Sequence, residues 1–155
     1  MELSNILHSS AVRAGVKVAS KKRLLQELAE MASDLSPAID ATRCLQALQE
    51  REALGPTGMG DGIAVPHARL PGLDHVIGYF ARLEKPVDFS SVDGRPVDLV
   101  FMLLAPEDAG AEHLRALARV SRTLRNPDVC RKLRSTEDAG ALHMILTEPA
   151  TSQAA

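Results

Sequence analysis

Residues 97–104, with the sequence VDLVFMLL, are nearly all apolar and carry a single charged side chain, Asp98. A near-continuous apolar run is typical of a strand that is buried on both faces of a sheet. Pro96 precedes the run and Pro106 follows it, and proline often marks the ends of such segments. This stretch therefore predicts a central β-strand.

The apolar pattern on either side of this strand predicts the other elements. Short apolar segments predict strands at 63–65 and 75–83, and helical spacing predicts helices at 21–32, 40–52, 110–124, 127–133 and 135–146. Ser135 is expected to begin the last helix through a capping-box pattern. Helices, then strands, then helices predict an α/β fold, a three-layer α/β/α sandwich with a mixed central β-sheet flanked by helices. We expect one domain over residues 3–148 and a disordered tail at 149–155.

Length and charge exclude several classes of protein. The chain has 155 residues, a usual size for one domain, and 18 basic against 20 acidic residues give a net charge of −2. A general binder of nucleic acid or of anionic membranes would have a basic excess. No apolar run approaches the roughly 20 residues of a membrane span, and no signal peptide is evident, so a cytoplasmic protein is predicted.

The two cysteines, Cys44 and Cys130, are far apart in the sequence and fall in predicted helices. They are expected to be buried, reduced thiols, as is usual in the cytoplasm. The histidines lack the spacing of zinc ligands, and the residues require neither a metal nor another cofactor.

A cluster of glycines is the most unusual local feature of the sequence. Gly55, Gly58, Gly60 and Gly62 fall within eight residues. Glycine permits backbone conformations in which successive N–H groups converge on an anion. The pattern fits neither the nucleotide-binding P-loop nor the dinucleotide fingerprint. The residues alone leave two alternatives, a structural turn or a phosphate-binding loop.

His67 follows this cluster at the predicted end of a short strand. Pro66 fixes its own φ and favours an extended Val65, which would aim the imidazole reproducibly. A histidine with a pKa near 6.5 is largely neutral at pH 7 and is a competent nucleophile. Arg51 and Arg69 could supply guanidinium groups that match phosphate oxygens.

The other four histidines are interpreted from their positions. His8, His75 and His143 are expected to have no special role. His113 shares a helical stripe with apolar residues, so it is either a core histidine or a pocket residue that faces His67 from the first turn of its helix.

The sequence resembles a known family at several points. Residues 58–67 (GMGDGIAVPH) are similar to the phosphorylation-site signature of enzyme IIA proteins, mannitol/fructose class, of the bacterial phosphoenolpyruvate-dependent phosphotransferase system. The segments 51–55, 96–101, 112–114 and 130–134 continue the match. The resemblance spans residues 3–148 and is strongest to the nitrogen-regulatory branch. Val65 and Ala68 replace the Ile and Gly that are common in relatives.

The resemblance implies that His67 accepts a phosphoryl group from the phosphohistidine of a small phosphocarrier protein, which is charged from phosphoenolpyruvate by an enzyme I. Arg51 and His113 match positions that line the active-site pocket and steady the phosphoryl group. In the nitrogen branch, the phosphorylation state is expected to decide which transporters, kinases or regulators of nitrogen or potassium metabolism the protein binds.

Two alternatives remain from the sequence. A sugar-specific enzyme IIA would pass the phosphoryl group to an enzyme IIB of a transporter. A binding module that keeps the fold would no longer accept phosphate.

Overall fold

The structure is a computed structural model that describes residues 2–148. The tail predicted at 149–155 lies outside the described residues. Between residues 2 and 148 the chain forms six strands and five α-helices, with two short 3-10 turns at Leu3–Asn5 and Ser9–Ala11: β1 (Val12–Val16), α1 (Lys21–Leu35), α2 (Ala41–Ala53), β2 (Gly58–Gly60), β3 (Ile63–Ala64), β4 (His67–Leu70), β5 (Ile77–Val87), β6 (Val97–Pro106), α3 (Ala111–Leu124), α4 (Pro127–Arg134) and α5 (Ala139–Thr147).

Strand β6, which contains the apolar stretch at 97–104, is the central strand of the sheet. The strand order is β1-β5-β6-β3-β2, and β4 also pairs with β6. Strand β6 is antiparallel to β5 and parallel to both β3 and β4. All its residues except Asp98 are buried. The sheet is therefore mixed and flanked by helices, which confirms the predicted α/β/α fold.

Strands β3 and β4 lie one after the other along the same side of β6. Ile63 of β3 is opposite Leu99, and His67 of β4 is opposite Leu103. Between the two strands, the carbonyl of Pro66 accepts a hydrogen bond from the Leu103 amide at 3.0 Å. The chain around His67 is thus held against the most buried strand of the protein.

The glycine cluster forms a β-hairpin, which the sequence analysis did not predict. Strand β2 pairs antiparallel with β3, and Asp61 and Gly62 make the turn with φ of 56° and 81°. Positive φ at both turn residues is characteristic of a type I′ turn, for which Asp-Gly is a preferred sequence. Strands β1 and β4 were also missed, because both are short and neither has a clear alternating pattern.

The last helix begins later than predicted. Helix α5 starts at Ala139, where the carboxylate of Asp138 accepts a hydrogen bond from the Ala141 amide. Ser135 instead belongs to the end of α4, since its hydroxyl donates to the Lys132 carbonyl. A serine that bonds backward in this way cannot cap the following helix.

Both cysteines are buried and unpaired, as predicted. Burial raises the pKa of the Cys44 thiol to about 12. Within residues 2–148, no helix combines the length and the apolar character that crossing a bilayer requires.

Candidate functional site

His67 is the first residue of β4, and its imidazole is fixed through one ring nitrogen. The Nδ1 atom lies 2.9 Å from the carbonyl oxygen of Val65, so Nδ1–H donates to that carbonyl. The neutral ring then carries its lone pair on Nε2. The side chain is half-buried. The nucleophilic nitrogen is therefore defined by a backbone contact two residues earlier in the chain.

Arg51 approaches this nucleophilic nitrogen from the end of α2. Its Nε–H donates to Nε2 of His67 at 3.3 Å, and its Nη1 group donates to the carbonyl of Gly55 at 2.9 Å. The Gly55 contact holds the guanidinium beside the imidazole. Arg51 is thus placed where it can contact any group attached to Nε2.

His113 lies in the first turn of α3 and faces His67. The two ring centroids are 5.5 Å apart, with the ring planes at 74°. His113 is 5% exposed, and its Nδ1 accepts a hydrogen bond from Nε of Arg69 at 3.4 Å. Its Nε2 atom is buried and has no hydrogen-bond partner among the described residues. An unpaired buried N–H is costly, which makes this atom a donor available to a ligand.

Both histidines favour the neutral form. Burial is the largest cause that lowers the pKa of His67, and the nearby Arg51 charge lowers it further, against the raising effects of the Val65 carbonyl and Glu52. Burial, followed by the charges of His67 and Arg69, lowers the pKa of His113. At neutral pH, His67 is therefore uncharged and nucleophilic.

The two histidines line an open pocket of about 460 Å³ together with Arg51 and Arg69. Leu54 and Leu114 form part of its rim, and they are 85% and 65% exposed. The two leucines add exposed apolar surface beside the charged side chains of the pocket, a combination that also occurs at protein–protein interfaces.

The predicted glycines lie outside this pocket. A Cβ atom on Gly60 would meet the Asp93 carboxylate, and one on Gly62 would lie 2.5 Å from Nη2 of Arg134, while Gly58 packs against Ser91. The amide of Asp61 donates to the Asp93 carboxylate at 2.9 Å. These contacts support the structural alternative, in which the glycines shape the hairpin that leads into His67.

A buried ionic cluster behind the pocket was not predicted. The carboxylate of Glu52, with its side chain 6% exposed, accepts from Nζ of Lys21 at 2.9 Å and from the amide of Thr57 at 3.2 Å, and the Thr57 hydroxyl also donates to it. These contacts tie the end of α2 to the hairpin, directly beside Arg51. The only sign of this cluster in the sequence was that Glu52 lies next to Arg51 in the segment 51–55, which resembles the family.

Comparisons with known proteins identify the family of the chain. The family described as "Phosphoenolpyruvate-dependent sugar phosphotransferase system, EIIA 2" matches residues 5–148. The chain is 47% identical over 154 residues to a nitrogen regulatory protein of Bradyrhizobium diazoefficiens, covering 99% of this chain and 100% of the relative.

Solved structures share the fold. The crystal structure of the nitrogen regulatory protein IIA-Ntr from Neisseria meningitidis aligns with a TM-score of 0.88 at 35% identity, covering 94% of this chain and 99% of that one. The enzyme IIA for mannitol from Escherichia coli, solved in complex with phosphorylated enzyme IIB, aligns at 0.77 with 21% identity, over 93% of this chain and 100% of that one. The chain therefore belongs to the EIIA 2 family of the phosphoenolpyruvate-dependent phosphotransferase system, on its nitrogen-regulatory branch.

Proposed function

We propose that Nε2 of His67 accepts a phosphoryl group from the phosphohistidine of a small phosphocarrier protein, and that the resulting charge regulates binding to other proteins. The observation that carries this proposal is the arrangement of Arg51 and His113 around one nucleophilic nitrogen. Family membership supports the reaction class. Phosphoryl transfer requires mainly alignment and charge stabilisation, and the pocket offers both.

The transfer conserves atoms and charge. The Nε2 lone pair of His67 forms a bond to phosphorus while the N–P bond of the donor breaks, and that electron pair returns to the donor imidazole. Nδ1 keeps its proton and its hydrogen bond to the Val65 carbonyl, at 2.9 Å in the structure. This bond stabilises the positive character that the ring acquires when Nε2 is substituted.

Arg51 and His113 supply charge and hydrogen bonds to the phosphoryl oxygens. The Nε–H of Arg51 contacts the attacking lone pair before transfer, so it has to turn toward the oxygens as the N–P bond forms. A guanidinium is suited to two such oxygens. The Nε2–H of His113, which lacks a partner among residues 2–148, becomes hydrogen-bonded in the phosphorylated protein.

The rim of the pocket is the proposed docking surface for the donor. Leu54 and Leu114 project beside His67, so the carrier must present an apolar patch around its own phosphohistidine. After transfer, nearly two negative charges stand on this surface. Partners with arginine-rich surfaces are then favoured and acidic ones are repelled, which gives the phosphorylation state control over transporters, kinases or other regulators.

We propose the cytoplasm as the site of this relay, because the two cysteines are unpaired and buried.

Reconstitution tests the proposal. The protein incubated with phosphoenolpyruvate, enzyme I and the phosphocarrier should gain about 80 Da, the mass of one phosphoryl group, and the His67→Ala variant should not. An unmodified wild-type protein in a mixture that charges the carrier contradicts the proposal.

A second candidate function is transfer onward to an enzyme IIB. The mannitol enzyme IIA that shares this fold was solved with such a partner. Adding enzyme IIB proteins to the phosphorylated chain separates the two functions. A regulator keeps its phosphoryl group, whereas a sugar-specific enzyme IIA loses it to one of them.

A further inference from the structure

A second cavity lies beside the turn of the β2–β3 hairpin, where Asp61 and Ile63 form part of its lining. It has a volume of about 580 Å³, within the usual range for small-molecule sites. Four arginines line it, Arg95, Arg125, Arg131 and Arg134, with Asp61 as the one carboxylate in its lining. None of these residues lines the His67 pocket.

Arg134 forms the fixed part of this arginine cavity. Its Nε and Nη2 groups donate to the carboxylate of Asp98 at 3.0 Å, and Nη2 also donates to the carbonyl of Asp61 at 2.6 Å. The ion pair with Asp98 is partly buried. These contacts hold one guanidinium rigidly at the turn of the β2–β3 hairpin, and they hold the turn itself.

The other three arginines are free to change partner. The pairs Arg95–Asp61 and Arg131–Asp128 are largely exposed, and exposed ion pairs are weak. Arg125 is exposed, and its guanidinium has no ion-pair or hydrogen-bond partner in the part of the chain that the structure describes. Moving these guanidinium groups to a ligand therefore costs the folded protein little stability.

The floor of the cavity is apolar. Pro127 is exposed and supplies accessible apolar surface, whereas Ile63 and Leu124 lie beneath it, only 3% and 1% exposed. An inorganic anion would use only the arginines and leave this surface wet. A ligand that also has an apolar or planar body would cover the floor and stack on a guanidinium.

We propose that this arginine cavity binds a small organic phosphate, a molecule with two or more negative charges attached to an apolar or planar body. The ligand engages Arg125 and Arg131 through its charged groups and packs its body on Pro127 and on the face of a neighbouring guanidinium. The proposal does not depend on phosphorylation of His67, since the two pockets share no lining residue.

Magnesium-free ADP is a suitable probe, and inorganic pyrophosphate is its control, because it carries the diphosphate without the nucleoside. Titration of the isotope-labelled protein should give saturable changes at the backbone amides of residues 61–63, 125–126 and 128–134. ADP should bind at least about tenfold more tightly than pyrophosphate, because only ADP has a planar body that can pack on Pro127 and a guanidinium.

Substitutions assign the binding to this cavity. The double change Arg125→Ala with Arg131→Ala should weaken ADP binding by about tenfold or more, because two charge-assisted contacts are lost. Arg122→Ala is the matched control. Arg122 is exposed on α3, which also carries the cavity residue Leu124, but Arg122 does not line the cavity. A thermal melt of each variant checks that the fold is retained.

Four results would overturn the proposal. These are the absence of saturable changes at the cavity, changes confined to the pocket of His67, binding of ADP no tighter than that of pyrophosphate, and binding unaffected by the double substitution. Each leaves phosphorylation of His67 untouched, so failure here is distinct from failure of the proposed function.

Discussion

Nε of Arg51 lies 3.3 Å from Nε2 of His67 and donates its N–H to the lone pair of the nitrogen that we propose as phosphoacceptor. In the proposed transfer, the guanidinium therefore occupies the reactive position beforehand and neighbours the phosphoryl oxygens afterwards. Because Arg51 is also held by the Gly55 carbonyl, we expect the movement between these positions to be short. Its positive charge adds to burial in lowering the pKa of the imidazole, and in the proposed product it offsets the charge of the phosphoryl group.

Replacing Arg51 should slow phosphorylation without unfolding the protein. We expect Arg51→Ala to lower the transfer rate from the carrier by about a hundredfold, the usual cost of one donor to a developing charge. Arg43→Ala is the control, because Arg43 is exposed on the same helix and outside the pocket. Rapid-quench labelling measures the rates. Equal rates for the two variants would show that the contact with His67 is incidental.

The role of His113 depends on a single N–H group. His113→Leu removes the donor and should shorten the lifetime of the phosphorylated protein or slow its formation by roughly tenfold, the value of one hydrogen bond to a charged group. His113→Gln can place an amide N–H near the same point and should restore part of the loss. If both variants behave like wild type, His113 is a core residue and its unpaired nitrogen has no function.

The acceptor should stay active at mildly acid pH. Since burial lowers the pKa of His67, the transfer rate should fall only below the ordinary value of about 6.5. Removing the Arg51 charge raises that pKa, so Arg51→Ala should lose its remaining activity at a higher pH. NMR titration of the His67 imidazole in both proteins checks that its pKa is lower in the wild-type protein than in Arg51→Ala. An inflection above 6.5 in the wild-type protein contradicts the burial argument.

The stability of the folded protein should decrease as the pH falls below about 6.5. The pKa values of His67 and His113 are lower in the folded protein than in the unfolded chain. The unfolded chain therefore binds more protons as the pH falls below about 6.5, and the free energy of unfolding decreases. Urea denaturation at pH 7.5 and pH 5.5 measures the change. The loss should be smaller in a variant that carries His67→Ala.

The hairpin turn should tolerate no side chain at Gly62. Its φ is 81°, and an added Cβ would lie 2.5 Å from Nη2 of Arg134. Gly62→Ala should destabilise the protein by about 1–3 kcal/mol, the usual range for strained backbone positions. Gly110→Ala is the control, since nothing lies within 4 Å of its added Cβ and its φ is −71°. Equal stability of the two variants would mean that the turn adapts.

Much of the fold could be predicted from apolar patterning, because long periodic segments determine helices and buried strands. The apolar segment at 97–104 predicted the central strand β6. Short strands could not be found in this way. The β2–β3 hairpin depends on the Asp61-Gly62 turn, whose sequence signal was present but was interpreted only as part of a loop.

The chemistry of the pocket was partly predictable. Arg51, Arg69 and His113 are brought to His67, as the residue types and the family resemblance suggested. The residues left the glycines as either a structural turn or a phosphate-binding loop. In the structure Gly58, Gly60 and Gly62 lie against Ser91, Asp93 and Arg134, and phosphate binding by the loop stays a prediction. The local sequence does not determine which side of a hairpin faces a pocket, because that depends on contacts with residues that are distant in the sequence.

The segment that links β3 to β4 lies along the central strand. Both strands pair with β6, so the backbone at His67, the proposed phosphoacceptor, is held by the most buried strand, and we expect it to rearrange little on phosphorylation. The phosphorylated and unphosphorylated proteins would then have nearly superimposable backbones and differ in surface potential. We therefore expect partners to distinguish the two states by the added negative charge and not by a change of shape.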